Sequence, residues 1–164
     1  MKYNKIRKMD IADGPGVRVS IFMQGCSFNC KNCFNPETHD FTGGKEFTEE
    51  TIARVLELCD KEYVKGLSIL GGEPMHPKNI EGTTELAKCF KKKFPEKNLW
   101  VWSGFTFDKD LKNKEAMKYI DVLVDGQYVD ELHNPKLEWR GSSNQRVIDV
   151  QQSLKANKVV LLNA

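Results

Sequence analysis

Short runs of apolar residues recur along the chain and predict β-strands. They cover residues 17–23, 66–70, 99–102, 121–124, 146–150 and 158–162. The first four runs each lead directly into a loop that contains glycine or polar residues. A buried strand followed by such a loop is the pattern of a parallel sheet whose loops carry function.

Apolar residues at helical spacing fill the intervals between these runs. The predicted helices lie near residues 48–59, 86–94, 108–119 and 151–155. Thr48 is the expected N-cap of the first helix, and Pro95 ends the second. Cys59 and Cys89 fall on the apolar faces of these two helices, which predicts two buried free thiols.

Strands that alternate with helices predict an α/β fold in which parallel strands pair through right-handed crossovers. In such sheets and barrels the ligand lies at the carboxyl ends of the strands, so the four loops should open onto one face. A complete eight-fold barrel needs about 250 residues. We therefore expect one domain over residues 1–164, an incomplete, open (β/α) barrel of five to six mostly parallel strands.

Composition narrows the functional classes. The chain has 164 residues and a formal net charge of +2, which gives no electrostatic case for nucleic acid or an anionic membrane. No apolar run approaches the roughly 20 residues of a membrane span. Its five cysteines are an odd number with tight local clustering, which argues against a secreted disulfide framework and predicts a cytoplasmic protein.

The cysteine loop (residues 24–35) follows the first predicted strand. Cys26, Cys30 and Cys33 have the spacing C-x3-C-x2-C, with no fourth ligand nearby at similar spacing. A four-position metal centre held by three thiolates keeps one position open for chemistry. The alternative is a zinc site completed by a distant residue such as His39 or His76.

The GGEP turn (residues 71–74) follows the second predicted strand. Gly71 and Gly72 allow a ligand to approach the backbone closely, and Glu73 adds a carboxylate. This arrangement could bind the α-amino group of an amino acid. A tight turn that simply leads into a helix is the alternative.

Together, the two motifs resemble the radical S-adenosylmethionine (radical SAM) superfamily. There, the three cysteines hold a 4Fe–4S cluster and the GGEP-like residues meet the methionine amino group. More narrowly, residues 10–150 are similar to the activating proteins of anaerobic (class III) ribonucleotide reductase. The segments that carry this resemblance are 13–18 (DGPGVR), 33–36 (CFNP), 71–74 (GGEP), 102–105 (WSGF), 121–126 (DVLVDG) and 140–146 (RGSSNQR).

The resemblance implies an oxidoreductase that reductively cleaves SAM at its 4Fe–4S cluster and generates a glycyl radical on a partner. The implied partner is the large subunit of the anaerobic ribonucleotide reductase, through its glycyl-radical loop, and a low-potential donor supplies the electron. Two alternatives stay open. One is a radical SAM enzyme acting on a small molecule, of the deazapurine synthase type. The other is a non-catalytic zinc or iron–sulfur module.

The resemblance also implies roles for individual residues. Metal ligation falls to the three cysteines of the loop, and SAM binding to Asn32, Cys33, Phe34, Gly71, Gly72, Glu73, Ser103 and Asp125. Contact with the partner or the pocket is expected from Asp13, Arg18, Gln127, Ser142, Asn144 and Arg146. Many radical SAM enzymes have an aromatic residue where this chain has Asn32, just before the third cysteine. Related activases have lysine where this chain has Gln127. For the residues outside the two motifs, local turn capping is the alternative role.

Overall fold

The computed structural model describes residues 1–162, which form one mixed β-sheet with three α-helices. The strands are β1 (Lys2–Asp10), β2 (Arg18–Gln24), β3 (Lys45–Glu46), β4 (Gly66–Gly71), β5 (Asn98–Ser103), β6 (Val122–Asp125) and β7 (Arg146–Asp149). The helices are α1 (Glu49–Cys59), α2 (Ile80–Lys93) and α3 (Val150–Ala156). The α/β class is confirmed.

The strand order across the sheet is β3-β1-β2-β4-β5-β6-β7. The central strands β2, β4, β5 and β6 are parallel, whereas β1, β3 and β7 pair antiparallel at the two edges. The prediction of five to six mostly parallel strands is therefore wrong at the edges. The reason is connectivity, because β1 and β2 are joined by a short loop, and no α-helix lies between β6 and β7.

Residues 158–162 were expected to form a further strand. Within this stretch, Leu161 makes a single antiparallel bridge to Ile148 of β7. Two backbone hydrogen bonds flank the bridge, from Asp149 to Val160 and from Leu162 to Val147. The segment therefore covers the outer edge of β7 without extending into a regular strand.

The two faces of the sheet have different surroundings because successive side chains of a strand alternate between them. Val19, Ile21 and Met23 of β2 join the main hydrophobic core, together with residues of α1 and α2. Phe22 of the same strand lies on the opposite face and lines a cavity. Helices thus cover one face, and the other face is available for a site.

The predicted helix over residues 108–119 is wrong. This interval contains a π-helical turn, Phe107–Leu111, and a 3₁₀ segment, Glu115–Lys118. The carboxylate of Asp110 accepts hydrogen bonds from the backbone N–H and the hydroxyl of Thr106, which ties the chain into a local turn. In residues 1–162 no helix is long and apolar enough to cross a membrane.

The two cysteines outside the loop differ. Cys59 is fully buried in the main core, as predicted. Cys89 is only partly buried, and its thiol lies 3.5 Å from the carboxylate of Glu85. The core contacts of α2 are made by Leu86, Ala87 and Phe90, so position 89 turns toward the side of the helix.

Candidate functional site

The cysteine loop is closed at its base by backbone hydrogen bonds. Gly25 donates to Thr38 at 2.6 Å, and Cys26 donates to His39 at 3.1 Å. Within the loop, Asn29 and Asn32 have left-handed backbone conformations, with φ of 52° and 55°. Asparagine tolerates this conformation better than most residues, so the sequence supports a tightly wound loop.

All three cysteines of this loop have free thiols, and they line one cavity of about 590 Å³. Burial raises the pKa of the Cys26 and Cys30 thiols. The backbone N–H of Asn35 points to Cys33 Sγ at 3.5 Å. Three thiols that line one cavity, with a backbone donor beside one of them, are suited to an iron–sulfur cluster.

A single metal ion has different requirements, since its ligands must lie within about 2.0–2.3 Å of one point. In the described part of the chain, no group of three His, Cys, Asp or Glu side chains is arranged to hold such an ion. His39 lines the cavity, whereas the ring of His76 lies 4.6 Å from that of Phe41. In a cluster each thiolate binds a different iron atom, so wider spacing of the three sulfurs is suitable.

The GGEP turn contacts the base of the cysteine loop. Gly72 donates a hydrogen bond to Met23 at 2.9 Å, and Glu73 donates to Gly25 at 2.8 Å. Gly71 has a φ of 108°, which favours glycine. A Cβ on Gly72 would lie 2.5 Å from the carbonyl oxygen of Gly25. The glycines therefore allow the two predicted motifs to come into direct contact.

Glu73 is 1% exposed and points into the site. One carboxylate oxygen accepts a hydrogen bond from Gly104 N–H at 2.6 Å. The other accepts from Ser103 Oγ at 2.7 Å and from Met75 N–H at 2.8 Å. Burial raises the pKa of Glu73 to about 7 despite these donors. A carboxylate has about four acceptor positions, so one remains for a further donor.

Asn79 connects the two motifs, and sequence analysis missed it. Its side-chain N–H groups donate to the carbonyl oxygens of Gln24, Gly25 and Glu73, at 3.0–3.4 Å. In the sequence Asn79 has the signature of a helix N-cap, and it does precede α2. Its buried position is the signal of the additional role, and burial is visible only in the structure.

Several aromatic side chains of the cavity wall were not among the expected site residues. Phe28 stacks edge-to-face on Phe105, with ring centroids 4.9 Å apart. Trp102 and Trp139 line the cavity, and the indole N–H of Trp102 donates to the carbonyl of Trp139 at 2.8 Å. Apolar walls around a few polar groups are typical of a small-molecule site.

Comparison with known proteins agrees with this geometry. The family described as 4Fe-4S single cluster domain matches residues 12–148. The anaerobic ribonucleoside-triphosphate reductase-activating protein of Enterobacteria phage T4 is 41% identical over 147 residues, which are 90% of this chain and 93% of that protein. This chain belongs to the family of anaerobic ribonucleoside-triphosphate reductase-activating proteins.

Bacterial members of the family show the same similarity. The activating protein of Vibrio cholerae is 38% identical over 148 residues, which are 88% of this chain and 96% of that protein. The activating protein of Escherichia coli K12 is 35% identical over 150 residues, 90% of this chain and 97% of that protein. The resemblance inferred from the sequence motifs is confirmed.

Two of the residues that were expected to bind SAM, Ser103 and Asp125, form hydrogen bonds with other residues of the chain. Ser103 donates to Glu73 and accepts from Phe105 N–H at 3.1 Å. Asp125 is 1% exposed and accepts hydrogen bonds from Arg146 and from Phe107 N–H. Asp125 lines a smaller cleft of about 500 Å³ beside the main cavity.

Arg146 bridges two carboxylates. Its guanidinium lies 2.6 Å from Asp125 and 2.8 Å from Asp108. Hydrogen bonding to Asp125 raises the pKa of Arg146, and Arg146 lowers the pKa of Asp108. The bridge fixes the end of β6 against the segment that follows β5, so Arg146 shapes the smaller cleft.

Asp13 lies at the main cavity, whereas Arg18 lies in the protein interior. Asp13 lines the main cavity, and burial together with a hydrogen bond to Asp10 raises its pKa to about 7. Arg18 is 0% exposed, and burial lowers its pKa to about 10. The Arg18 guanidinium donates to Ser68, Asn98 and backbone carbonyls. Arg18 was expected to contact the partner or the pocket, whereas its fully buried side chain anchors the start of β2.

The cysteine loop contacts the segment after β6. Asn32 Nδ2 donates to Asp130 at 3.0 Å, and the Phe34 ring centroid lies 5.0 Å from that of Tyr128. Phe34 lines the cavity, although 63% of the residue remains exposed. Asn32 is directed to Asp130, so its side chain supports the loop.

Ser142 and Asn144 hold that same segment after β6. Ser142 Oγ accepts from Val129 N–H at 3.2 Å and donates to Asn144 Oδ1 at 2.6 Å. Asn144 Nδ2 donates to the carbonyl of Gln127 at 2.7 Å. Ser142 and Asn144 therefore act on the cavity through Gln127, which lines it, whereas Arg140, Gly141 and Gln145 of the same segment line it directly.

Proposed function

We propose that this chain is a radical SAM activase that generates a glycyl radical on anaerobic ribonucleotide reductase. The observation that carries the proposal is the contact between the base of the cysteine loop and the GGEP turn at one cavity. Membership of the activating-protein family supports the same function, since its members are named as activating proteins of the anaerobic ribonucleoside-triphosphate reductase.

Cys26, Cys30 and Cys33 would hold the 4Fe–4S cluster and leave one iron without a protein ligand. When bound, the cluster would supply the electron that splits SAM into methionine and a 5′-deoxyadenosyl radical, which takes a hydrogen atom from a glycine of the partner. The remaining acceptor position of Glu73 would bind the ammonium group of SAM. Ser103 would keep that carboxylate in place.

The walls of the cavity have a second role in this proposal. A carbon radical reacts with nearby hydrogen donors, so the site must exclude water and hold the target close. Phe28, Trp102 and Trp139 supply apolar surface for this purpose, and Phe105 packs against Phe28. Phe34 would contribute to the adenine pocket together with the backbone of Asn32 and Cys33.

We further propose that the sheet is the incomplete, open barrel of a single radical SAM domain. Helices α1 and α2 contribute to the core on one face, and the cavity is lined by the last residues of β4 and β5, at the strand ends where a barrel carries its site. The open side would admit the glycyl-radical loop of the reductase large subunit. A low-potential donor would reduce the cluster, and the cysteine usage favours the cytoplasm.

The test is anaerobic reconstitution with iron and sulfide, followed by dithionite reduction and addition of SAM with the purified reductase. We expect 5′-deoxyadenosine and a glycyl radical detected by electron paramagnetic resonance (EPR). Cys30→Ala should abolish both products, whereas the matched control Cys59→Ala should retain both.

Three results would contradict the proposal in different ways. SAM that stays intact beside a full, reduced cluster would exclude the radical SAM activity. SAM cleavage without a glycyl radical would favour a small-molecule substrate. Stoichiometric zinc in place of iron and sulfide would favour a non-catalytic module.

A further inference from the structure

The side-chain amide of Gln127 lies next to one cysteine of the loop. Cys30 Sγ is 3.9 Å from Gln127 Oε1, and both residues line the main cavity. Gln127 belongs to the segment that follows β6, whereas Cys30 belongs to the segment that follows β2. The contact therefore joins two loops at the carboxyl edge of the sheet.

The backbone around Gln127 is held at several points. Gly126 donates to the carbonyl of Phe105 at 3.2 Å, and the carbonyl of Gly126 accepts from Gln145 Nε2 at 3.0 Å. The carbonyl of Gln127 accepts from Asn144 Nδ2 at 2.7 Å. These bonds fix the origin of the Gln127 side chain, so its amide stays within reach of Cys30.

The charge state of Cys30 decides which end of the amide faces it. A thiol donates weakly to the amide oxygen, which is the contact seen here. A thiolate ligand of a cluster is only an acceptor, and it would repel that oxygen. A half-turn about the terminal bond of Gln127 exchanges the oxygen for the NH₂ group, which donates to sulfur.

A donor to a cluster sulfur favours the more negative, reduced state of the cluster. Hydrogen bonds to the sulfurs are among the factors that set the reduction potential of iron–sulfur centres. Lysine at position 127 would add a positive charge here, leucine would remove the donor, and glutamate would add a negative charge.

We propose that Gln127 is a positioning residue for the cluster. Its side chain donates an N–H to the thiolate of Cys30 and raises the reduction potential of the cluster. This inference rests on the proposed function. It gives two residues of the RGSSNQR segment a supporting role, because Asn144 and Gln145 hold the backbone of residues 126–127.

The test is an EPR-monitored redox titration of the reconstituted full-length protein without SAM or partner. Gln127→Leu should lower the ratio of reduced to oxidised cluster by up to about tenfold at a given solution potential, because only part of the strength of a hydrogen bond to a charged group differs between the two oxidation states. For a one-electron couple this corresponds to about 59 mV. The potentials should rise in the order glutamate, leucine, glutamine and lysine at position 127.

Gln152→Leu is the matched control, because Gln152 is an exposed glutamine on α3. Its potential should equal that of the wild type. Asn144→Ala provides a second test, since it releases the backbone of Gln127 without changing the amide. It should shift the potential in the same direction as Gln127→Leu, by a smaller amount.

Equal potentials in Gln127→Leu and the wild type, with equal iron content, would overturn the inference and leave the activase proposal intact. If Gln127→Leu does not hold the cluster, an unchanged potential in Asn144→Ala would overturn it in the same way. A wild-type protein that assembles no 4Fe–4S cluster would overturn both proposals.

Discussion

Adding one methyl group to Gly72 tests the contact between the two motifs. Gly72→Ala would place a Cβ 2.5 Å from Gly25 O and 2.8 Å from Thr38 O, whereas ordinary contacts begin at 3.4 Å. Both neighbours are backbone atoms, so the GGEP turn and the base of the cysteine loop must separate by about 0.9 Å, the difference between 3.4 and 2.5 Å. The backbone φ of Gly72 lies outside the left-handed region, so the effect comes from contact alone.

Gly72→Ala should reduce both the stability of the protein and its rate of SAM cleavage. Overpacking of this kind costs about 1–3 kcal/mol of unfolding free energy. For a chain of this size that lowers Tm by roughly 2–12 °C. A displacement of about 1 Å between reacting groups can reduce a rate about 100-fold, so we expect a loss of SAM cleavage of that order.

The assay measures 5′-deoxyadenosine formation at equal cluster content, together with thermal unfolding. Gly82→Ala in α2 is the control, since its Cβ would chiefly meet the flexible thioether end of Met1. Alanine is also favoured over glycine within a helix by about 1 kcal/mol. A Gly72→Ala protein with wild-type SAM cleavage would refute the argument that this close approach positions the turn.

Three further predictions concern other parts of the molecule. Alanine at any of the three cysteines of the loop should abolish the cluster absorbance, whereas Cys59→Ala should keep it and lose about 1 kcal/mol of stability in urea unfolding. Asp13→Asn should gain stability relative to the wild type as pH rises from about 4 to about 7. The raised pKa of Asp13 in the folded state makes the wild type lose unfolding free energy through that window. A difference in unfolding free energy that does not depend on pH in urea titrations would contradict this. Arg146→Ala should cost about 3 kcal/mol by leaving the buried Asp125 without its partner, and a change below 1 kcal/mol in unfolding would argue against the bridge.

The central strands were predictable because burial leaves a simple pattern in the sequence. Strands β2, β4, β5 and β6 are short apolar runs, and each lies within two residues of its predicted bounds. Strand β1 was missed because β3 covers only Lys2 and Tyr3, so the rest of β1 lies at the edge of the sheet and has many charged residues, the composition that protects a free edge. Its sequence therefore has no continuous apolar run to detect.

The site was predictable where a topology rule applied and hidden where burial decided the role. The rule that loops gather at the carboxyl ends of parallel strands correctly brought the cysteine loop and the GGEP turn together. The residues Asn79 and Phe28 act through long-range contacts that no local pattern shows. The resemblance of the DGPGVR segment implied a contact role for Arg18, whereas its guanidinium is buried among neutral acceptors, which no local pattern shows.

The closed base of the cysteine loop should determine what remains of the site after exposure to oxygen. Gly25 and Thr38 pair through the backbone, and Gln24 binds the carbonyls of Glu37 and Asp40, so the bonds that close the base use none of the three thiols. In a zinc finger, by contrast, folding depends on the metal itself. Loss of the cluster to oxygen should therefore leave the base of the cysteine loop closed. Iron and sulfide should then restore the cluster without refolding of the chain.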